Sequence, residues 1–540
     1  MSEDSGVMQR VLLASVLAVL VAAPFGAGSA RAADFPASHA GYHTDAELAV
    51  ELDAIAAAHP DIVQLFAIGK SYQGRPLRAA KVSDNVAEDE PEPEVLIDGL
   101  HHGNEHLSLE MTLAALRFLA GDYGSDATVT RLVDTREIWI VFAVNPDGAA
   151  YDLLGQKGFR DWRKNRQPNS GTTAVGTDLN RNYGYRWGCC GGSSGSPSAR
   201  TYRGRRPFSA PETAALRDFV DSRVIGGRQQ IRAAISYHTF GRQVLWPYGY
   251  TRTDRPADMT ADDQRAFVAI GRAMASRNGY RPMQSSDLYI TDGDEGDWLY
   301  GTHRIFAFTI ELAARTASGD DPPDEAIGPE TKRNRTALLH LIDRAGCPWA
   351  AIGREIANCG AFYDDLEART GWTVDPDGSD TATAGRWARG DAAQTRYGGV
   401  GIQPGTAPSG RRVLATGLAA GATARSYDLD GGVTTVLSPP IDLPAGTGQL
   451  LTLRWSFAHG ADATADDYLR VTVEGETGSA VALEAVGAAS LRGAAWHTLG
   501  FALDEFAGQR IRIRIQAADA GRRSLVEAQL DDIRVTRPTS

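Results

Sequence analysis

The stretch VLIDGLHHGNEH, residues 95–106, places polar side chains directly after a short apolar run that is typical of a buried strand. His102 and Glu105 are three residues apart, so on a turn or an opening helix both side chains face the same way and can reach one cation. A catalytic zinc ion takes three protein ligands and keeps one position open. His238, at the end of another apolar run, supplies the third candidate ligand. These three residues form the predicted zinc site.

The same letters contain a second zinc motif, H-x-x-E-H, formed by His102, Glu105 and His106. In that motif both histidines bind the metal from one helix and the glutamate acts as the base. It requires a regular helix through Gly103, where glycine costs about 1 kcal/mol relative to alanine. It also leaves His238 without a role. The helical pattern starts only after Gly103, so we interpret His106 as a residue that packs beside the site or supports a ligand.

The length and composition of the chain predict two folded domains, since 540 residues with 43% hydrophobic content can bury two cores. The net charge of −12 argues against a nucleic-acid partner. Arg10, the apolar residues 11–21 and the site Ala30-Arg31-Ala32 predict a signal peptide over residues 1–32. Its apolar stretch is too short to span a membrane, and no later run approaches that length. We therefore expect a secreted, extracellular protein.

Four cysteines in an exported chain predict two disulfides, although their pairing cannot be read from the sequence alone. Cys347 and Cys359 would close a short loop between the two domains. Cys189 and Cys190 are adjacent and could pair only as a strained vicinal disulfide, so two free thiols are the alternative. They lie in a loop rich in Gly and Ser, residues 188–200, which we expect to be exposed.

Short apolar runs alternate with helical patterns between residues 40 and 345. The runs cover residues 62–65, 95–99, 138–142, 231–237 and 306–310. Strands interleaved with helices predict an α/β domain with a mixed central sheet flanked by helices. Ligands of such sheets bind at the carboxyl ends of the strands. His102, His238 and Glu311 each follow one of these runs, so we predict that they meet at one edge of the sheet.

The pattern changes after Cys359 to segments in which apolar and polar residues alternate between turns, for example residues 451–457, 469–473 and 511–515. A period of two with frequent turns predicts an antiparallel β-sandwich over residues 361–540, joined to the first domain by a linker over residues 346–360. This second domain resembles the jelly-roll accessory modules of secreted hydrolases. Whether it binds a polymer, a protein partner or Ca²⁺, or only aids folding, stays open.

The motifs between residues 40 and 345 together resemble the zinc carboxypeptidase family, its digestive A and B types and especially its secreted bacterial T type. The matching positions, in family order, are His102, Glu105, Arg163, Asn180, Arg181, His238, Tyr289 and Glu311. The resemblance implies one Zn²⁺ per chain, bound by His102, Glu105 and His238. It also implies an enzyme that removes residues from the C-termini of peptides and proteins, with Tyr289 as the family's mobile tyrosine.

The chemistry of the matching side chains agrees with the roles that the resemblance implies. Glu311 is the general base and then the acid, and Arg163 is the cation that stabilises the oxyanion. Arg181 is always charged and binds a carboxylate through two parallel hydrogen bonds, so Arg181 and Asn180 would hold the substrate's free C-terminus. Asp178 matches the carboxylate that orients a ligating histidine.

The side-chain pocket in this family is built partly by the segment that follows Tyr289. The position that separates A-type from B-type enzymes falls on Gly296, which selects neither class. Asp294 resembles the acidic pocket residue of the T type, which predicts removal of both large apolar and basic C-terminal residues. The alternative is that Asp294 is a solvated loop acid. Asn104 replaces an arginine of the digestive enzymes, so we expect the outer subsites to differ.

Two rival functions follow from the same residues. A cell-wall peptidase of the same superfamily would cut stem peptides, but the complete carboxylate clamp of Asn180 and Arg181 favours ordinary protein C-termini. An inactive binding protein would be expected to have lost Glu311 or a metal ligand, and the sequence retains all of them. Cobalt or manganese would fit similar ligands.

Overall fold

The computed structural model describes residues 34–90, 92–155, 159–225, 228–313, 321–354, 358–367, 371–446 and 448–536. The predicted signal peptide, residues 1–32, lies outside this range. The α-helices are α1 Asp45–Ala58, α2 His106–Gly121, α3 Ala127–Val133, α4 Pro146–Asp152, α5 Pro211–Ser222, α6 Ala261–Asn278, α7 Ser285–Leu288, α8 Glu295–His303 and α9 Ile327–Arg344. Among the described residues, no helix has the length and apolar character that a membrane crossing requires.

The strands fall into two groups along the chain. The first group comprises β1 Val63–Lys70, β2 Pro76–Val82, β3 Glu94–Gly99, β4 Glu137–Val141, β5 Val224–Ile225, β6 Arg228–Gln229, β7 Ile231–Thr239, β8 Gln243–Trp246, β9 Arg281–Gln284 and β10 Phe306–Leu312. The second comprises β11 Phe362–Asp364, β12 Thr373–Val374, β13 Trp387–Gly390, β14 Thr395–Tyr397, β15 Val400–Gln403, β16 Val413–Thr416, β17 Gly432–Leu437, β18 Ile441–Asp442, β19 Leu450–His459, β20 Tyr468–Glu474, β21 Ser479–Val486, β22 His497–Ala502, β23 Arg510–Asp519 and β24 Val526–Thr536.

An eight-stranded mixed sheet, in the order β1-β2-β4-β3-β7-β10-β8-β9, forms the centre of the N-terminal region. Strand β3 runs parallel to β4 and β7, and β7 runs parallel to β10. Val95 and Ile97 of β3 belong to one apolar core, and Leu96 between them belongs to a second core on the opposite face. Burial on both faces explains why these strands read as continuous apolar runs. The predicted α/β class with a mixed sheet is confirmed.

Two antiparallel sheets form the C-terminal region, in the orders β13-β16-β24-β19-β22 and β12-β17-β23-β20-β21. Strand β11 also pairs with β24, and β18 pairs with β23. Ile511, Ile513 and Ile515 of β23 are buried, and they share one core with Leu453 of β19 in the other sheet. The alternation therefore turns one face of each sheet inward, and the predicted β-sandwich is confirmed. The predicted boundaries at residues 345 and 361 fall between α9 and β11, and they stay a prediction.

Buried ion pairs join the two regions, and a disulfide lies in the segment between them. Arg454 of β19 lies 2.5 Å from an oxygen of Asp84 and 3.2 Å from an oxygen of Glu92, both in the N-terminal region. Cys347 and Cys359 form the disulfide of the predicted linker. Separation of the sandwich from the N-terminal region would leave Arg454, Asp84 and Glu92 without their partners. These ion pairs therefore hold the two regions together, because an unpaired buried charge is costly.

Candidate active site

The carboxyl ends of three parallel strands carry the candidate residues. His238 on β7 and Glu311 on β10 are register partners, and Gly99 at the end of β3 pairs with Tyr237 of β7. His102 and Glu105 lie in the turn between β3 and α2. The structure thus brings the two strand residues and the turn to one edge of the sheet.

The turn that carries His102 and Glu105 depends on a glycine. A Cβ atom at Gly103 would lie 2.4 Å from the carbonyl carbon of Gly148 and 2.7 Å from the carbonyl oxygen of Trp162, which is too close for any side chain. The amide of Gly103 donates to the carbonyl of Arg163 at 3.0 Å. The absence of a side chain therefore lets the turn pack against the segment that carries the candidate oxyanion-binding arginine.

The three candidate ligands converge on one point. Nδ1 of His102 lies 2.7 Å from Oε1 of Glu105, and Nδ1 of His238 lies 2.8 Å from Oε2 of the same carboxylate. The two imidazole Nδ1 atoms are 3.2 Å apart. Two nitrogens and a carboxylate at these separations form the donor set that tetrahedral zinc prefers, with a fourth position left for water or substrate. The residues therefore fit a zinc ion.

Asp178 connects one ligand to a cation. Its Oδ1 lies 3.2 Å from Nε2 of His102, and its Oδ2 accepts a hydrogen bond from Nε of Arg163 at 2.9 Å. Burial alone would raise the pKa of Asp178, but Arg163 and His102 outweigh it and hold this pKa well below its ordinary value. An ionised Asp178 that accepts a hydrogen bond from Nε2–H of His102 leaves Nδ1 of His102 free to bind metal.

Glu311 has the environment of a general base. Desolvation by burial, reinforced by the charge of Glu105, raises the pKa of Glu311 to about 8, although His102 and Arg163 oppose the shift. The positive charge of a metal ion would lower this pKa. The carboxyl group lies in the same cavity as the metal ligands, as a base that takes a proton there must.

The candidate clamp for the substrate's carboxylate adjoins the metal ligands, since Nδ2 of Asn180 lies 3.3 Å from Nε2 of His238. Nε of Arg181 donates to the carbonyl of Gly192 at 3.2 Å, and Nη1 donates to the carbonyl of Asn180 at 2.5 Å. Oδ1 of Asn180 accepts the amide of Glu295 at 2.9 Å. The half-exposed ring of Tyr289 lies 5.9 Å from the guanidinium carbon of Arg181. All the candidate site residues line one cavity of ≈ 370 Å³.

Comparison with known proteins decides the family. Residues 48–337, more than half of the chain, match the family model described as zinc carboxypeptidase. The chain belongs to the zinc carboxypeptidase family. A zinc carboxypeptidase of Saccharothrix mutabilis subsp. capreolus is 48% identical over 322 residues, which cover 59% of this chain and 73% of that protein. Carboxypeptidase A1 of Rattus norvegicus is 33% identical over 309 residues, 57% of this chain and 70% of its own.

Two solved structures share the fold of the N-terminal region. The crystal structure of thrombin activatable fibrinolysis inhibitor matches with a TM-score of 0.51 at 28% identity, over 56% of this chain and 74% of that one. Carboxypeptidase A from Helicoverpa armigera matches with a TM-score of 0.50 at 25% identity, over 58% and 75% of the two chains. The protein is thus a metallocarboxypeptidase, a hydrolase whose family uses Zn²⁺ and acts on peptides or proteins. A particular closeness to the T type stays a prediction.

His106 lies away from the predicted zinc ligands of this carboxypeptidase. Its Nε2 is 3.1 Å from Oδ2 of Asp152, its amide donates to Asp321, and its ring packs edge-on against Phe35. Helix α2 begins at His106, so His102 lies outside the helix. The inverted motif needs both histidines on one helix, and the structure does not supply that arrangement.

Asp294 lines the cavity of the carboxypeptidase site but is engaged by its own segment. Its Oδ1 accepts the amide of Asp297 at 2.9 Å, which caps helix α8, and Thr291 donates its hydroxyl to Oδ2. The residue is 9% exposed, so it is not a freely solvated loop acid. Each oxygen retains a second lone pair that a substrate's cationic side chain could use.

Sequence reasoning missed one cation at the rim of the cavity, Arg200. Arg200 donates to a carboxylate oxygen of Asp161 at 2.8 Å, and Asn104 donates to the other oxygen at 3.0 Å. Asn104 stands where digestive carboxypeptidases carry an arginine, and here a positive charge reaches the rim from a different loop. No spacing in the sequence signals this arrangement, because Arg200 comes from the long Gly- and Ser-rich segment.

Proposed function

We propose that the protein is a secreted zinc carboxypeptidase that removes single residues from the C-termini of peptides and proteins. The observation that carries this proposal is the convergence of His102, Glu105 and His238 in the cavity that also holds Arg181. A metal site alone would fit many hydrolases. A metal site next to a guanidinium that can bind a free carboxylate fits an exopeptidase. Secretion follows only from the signal peptide predicted over residues 1–32.

The bound zinc ion would supply a Lewis acid that polarises the scissile carbonyl and acidifies the attacking water. Glu311 takes the proton from the attacking water and later gives it to the leaving amine. Glu311 lines the same cavity as His102 and His238, which supports a role for its carboxyl group in both transfers. Arg163 donates to the oxyanion that develops on the carbonyl oxygen. Asp178 keeps the Arg163 guanidinium in place at 2.9 Å.

The clamp determines which peptide bond reaches the metal ligands. The guanidinium of Arg181 binds the terminal carboxylate through two parallel hydrogen bonds, and the amide of Asn180 adds a donor. A chain interior carries no charge at this position and would leave Arg181 unpaired inside the cavity. The C-terminal bond is therefore the one that the site cuts.

The pocket for the last side chain combines one acid with apolar walls. Asp294 offers a carboxylate to an incoming Lys or Arg, and Phe240, Leu245 and Leu288 line the same cavity. We propose that both large apolar and basic C-terminal residues are accepted. Terminal Asp and Glu would place a second negative charge near Asp294 and should be resisted.

The test uses the purified, zinc-loaded protein and a peptide whose products are read by mass spectrometry. We expect stepwise loss of one C-terminal residue at a time, abolished by a chelator and restored by zinc. The same peptide with an amidated C-terminus is the matched control, and it should stay intact because Arg181 has no carboxylate to bind. Internal cleavage of the amidated peptide would contradict the proposal. Preferential cleavage of peptides that end in a D-residue would favour the stem-peptide alternative.

A further inference from the structure

We infer that the Cys189–Cys190 disulfide loop, anchored by Asp292, positions Arg181 to bind the substrate's carboxylate. The inference rests on the proposed function of Arg181 and adds Asp292 as a positioning residue for that function. The feature that carries it is a chain of hydrogen bonds from a buried carboxylate, through the loop, to the guanidinium.

The disulfide loop, residues 188–193, contains two exposed cysteines joined to each other. Its backbone folds around the buried side chain of Asp292. Oδ2 of Asp292 accepts the amide of Cys190 at 3.1 Å and the amide of Gly192 at 2.8 Å, while Oδ1 accepts the hydroxyl of Ser193. One carboxylate therefore fixes three positions of the loop, as charge-assisted acceptors do for backbone amides.

Gly192 connects the disulfide loop to Arg181 of the clamp. The carbonyl of Gly192 accepts the hydrogen bond from Nε of Arg181 at 3.2 Å. A Cβ atom at Gly192 would lie 2.3 Å from the carbonyl carbon of Thr291, so the loop touches the 291–292 backbone directly. The position of Gly192 is thus set by the side chain of Asp292 and by contact with the backbone of Thr291.

The orientation of the guanidinium depends on these bonds. Arg181 uses Nε for Gly192 and Nη1 for the carbonyl of Asn180, so its plane is held by two acceptors on different parts of the chain. A guanidinium binds a carboxylate bidentately only when its plane is correctly placed. The cross-link between adjacent cysteines restricts the conformations open to the loop. Pre-ordering of the loop should therefore reduce the ordering cost when substrate binds.

Asp292 also connects the clamp to the segment of Tyr289, because it lies three residues further along the same segment. The amide of Tyr183, in the segment that follows Arg181, donates to the carbonyl of Gly293 at 2.9 Å. The two parts of the chain that would contact a bound C-terminus are thus tied together at residues 291–293. Loss of Asp292 should weaken substrate binding more than it slows the chemical step.

The experiment compares Asp292→Asn with a matched control, Asp467→Asn, in the zinc-loaded full chain. Asp467 is buried in the β-sandwich and accepts the same types of donor: the amides of Thr464 at 2.7 Å and Ala520 at 2.9 Å, and the hydroxyl of Ser524 at 3.1 Å. For a peptide with a free C-terminus, Asp292→Asn should raise KM about 10- to 100-fold, the typical effect of losing charge-assisted hydrogen bonds. Its kcat should change less than about threefold, and Asp467→Asn should leave KM unchanged.

Two further measurements keep the test decisive. The Ki of the free amino acid L-leucine as a product inhibitor should rise in parallel with KM, because its carboxylate uses the same clamp. The double substitution Cys189→Ser/Cys190→Ser, at exposed positions, should also raise KM at constant zinc content, even if Asp292→Asn fails to fold. An unchanged KM in the double variant, or a fall in kcat alone in Asp292→Asn, overturns the inference. An inactive wild-type enzyme would instead overturn the proposed function.

Discussion

His238 and Glu311 occupy paired positions on the parallel strands β7 and β10. Paired residues of a parallel ladder project from the same face of the sheet, so a predicted metal ligand and the predicted base point into one cavity. A shift of one residue in this pairing would turn Glu311 to the opposite face. The buried sheet, rather than a loop, therefore sets the relative positions of the predicted ligand and the predicted base.

Replacement of Glu311 by glutamine tests the role of the base. We expect kcat to fall at least about 100-fold, because general base catalysis typically contributes 10²–10⁴-fold. Zinc content should stay at the wild-type level, since Glu311 is outside the ligand cluster of His102, Glu105 and His238. Steady-state kinetics and metal analysis of the purified variant provide the check. A variant that keeps more than about a hundredth of the wild-type kcat would exclude this role.

Two alanine variants separate the two zinc motifs. His238→Ala should lose zinc, because the structure places Nδ1 of His238 next to the other two ligands. His106→Ala should keep zinc, because His106 binds Asp152 instead. Metal content after dialysis against a weak chelator decides between them. Zinc loss in His106→Ala with retention in His238→Ala would support the inverted motif.

Asp178→Asn tests whether Asp178 supports zinc binding through Nε2 of His102. The variant removes the negative charge that lies 3.2 Å from Nε2 of His102, so zinc affinity should fall about 10- to 100-fold. Asp152→Asn is the matched control, since Asp152 pairs with His106 rather than with a predicted ligand. Competition with a fluorescent chelator measures both affinities. Equal zinc affinity in the two variants would contradict the role of Asp178.

Asp134 gives a prediction for the pH dependence of stability. Burial, reinforced by Asp84, raises the pKa of Asp134 to about 7, and Tyr123 donates its hydroxyl to this carboxyl group at 2.9 Å. An acid whose folded-state pKa is raised stabilises the fold below the unfolded pKa of about 4, and this contribution is lost as the pH rises through about 7. Asp134→Asn should therefore increase Tm relative to the wild type, and the gain should be larger at pH 8 than at pH 5. Thermal melts at the two pH values provide the check, and an equal difference at both would contradict the shift.

The sequence predicts those parts of the molecule that rest on local patterns. The runs that become β3, β7 and β10 are visible because burial on both faces demands continuous apolar residues, and the polar residues at their ends mark the site edge. The alternation around Ile513 likewise predicts the sandwich. The position of Arg200 and the bonds of Asp292 could not be predicted, because both depend on the path of a long loop without periodicity. The sequence also left open whether Cys189 and Cys190 pair with each other, because they lie in this same loop.

Asp294 is expected to influence which C-terminal residues the enzyme removes. Asp294 lines the cavity. Its Oδ1 accepts the amide of Asp297, and its Oδ2 accepts the hydroxyl of Thr291. The side chain of a C-terminal Lys or Arg would therefore donate to a carboxylate that is already held in position. An apolar side chain would leave the hydrogen bonds from Asp297 and Thr291 intact. Asp294→Ala should lower kcat/KM for peptides that end in Arg more than for those that end in Leu, by about tenfold, the typical value of one charge-assisted hydrogen bond.

Because alanine also removes the cap of helix α8, Asp294→Asn is measured beside it as the variant that keeps an acceptor for Asp297. Peptides that end in Leu, Phe, Arg and Glu are compared on all three proteins. If both substitutions leave the Arg-to-Leu ratio of kcat/KM unchanged, Asp294 does not determine the preference for basic residues.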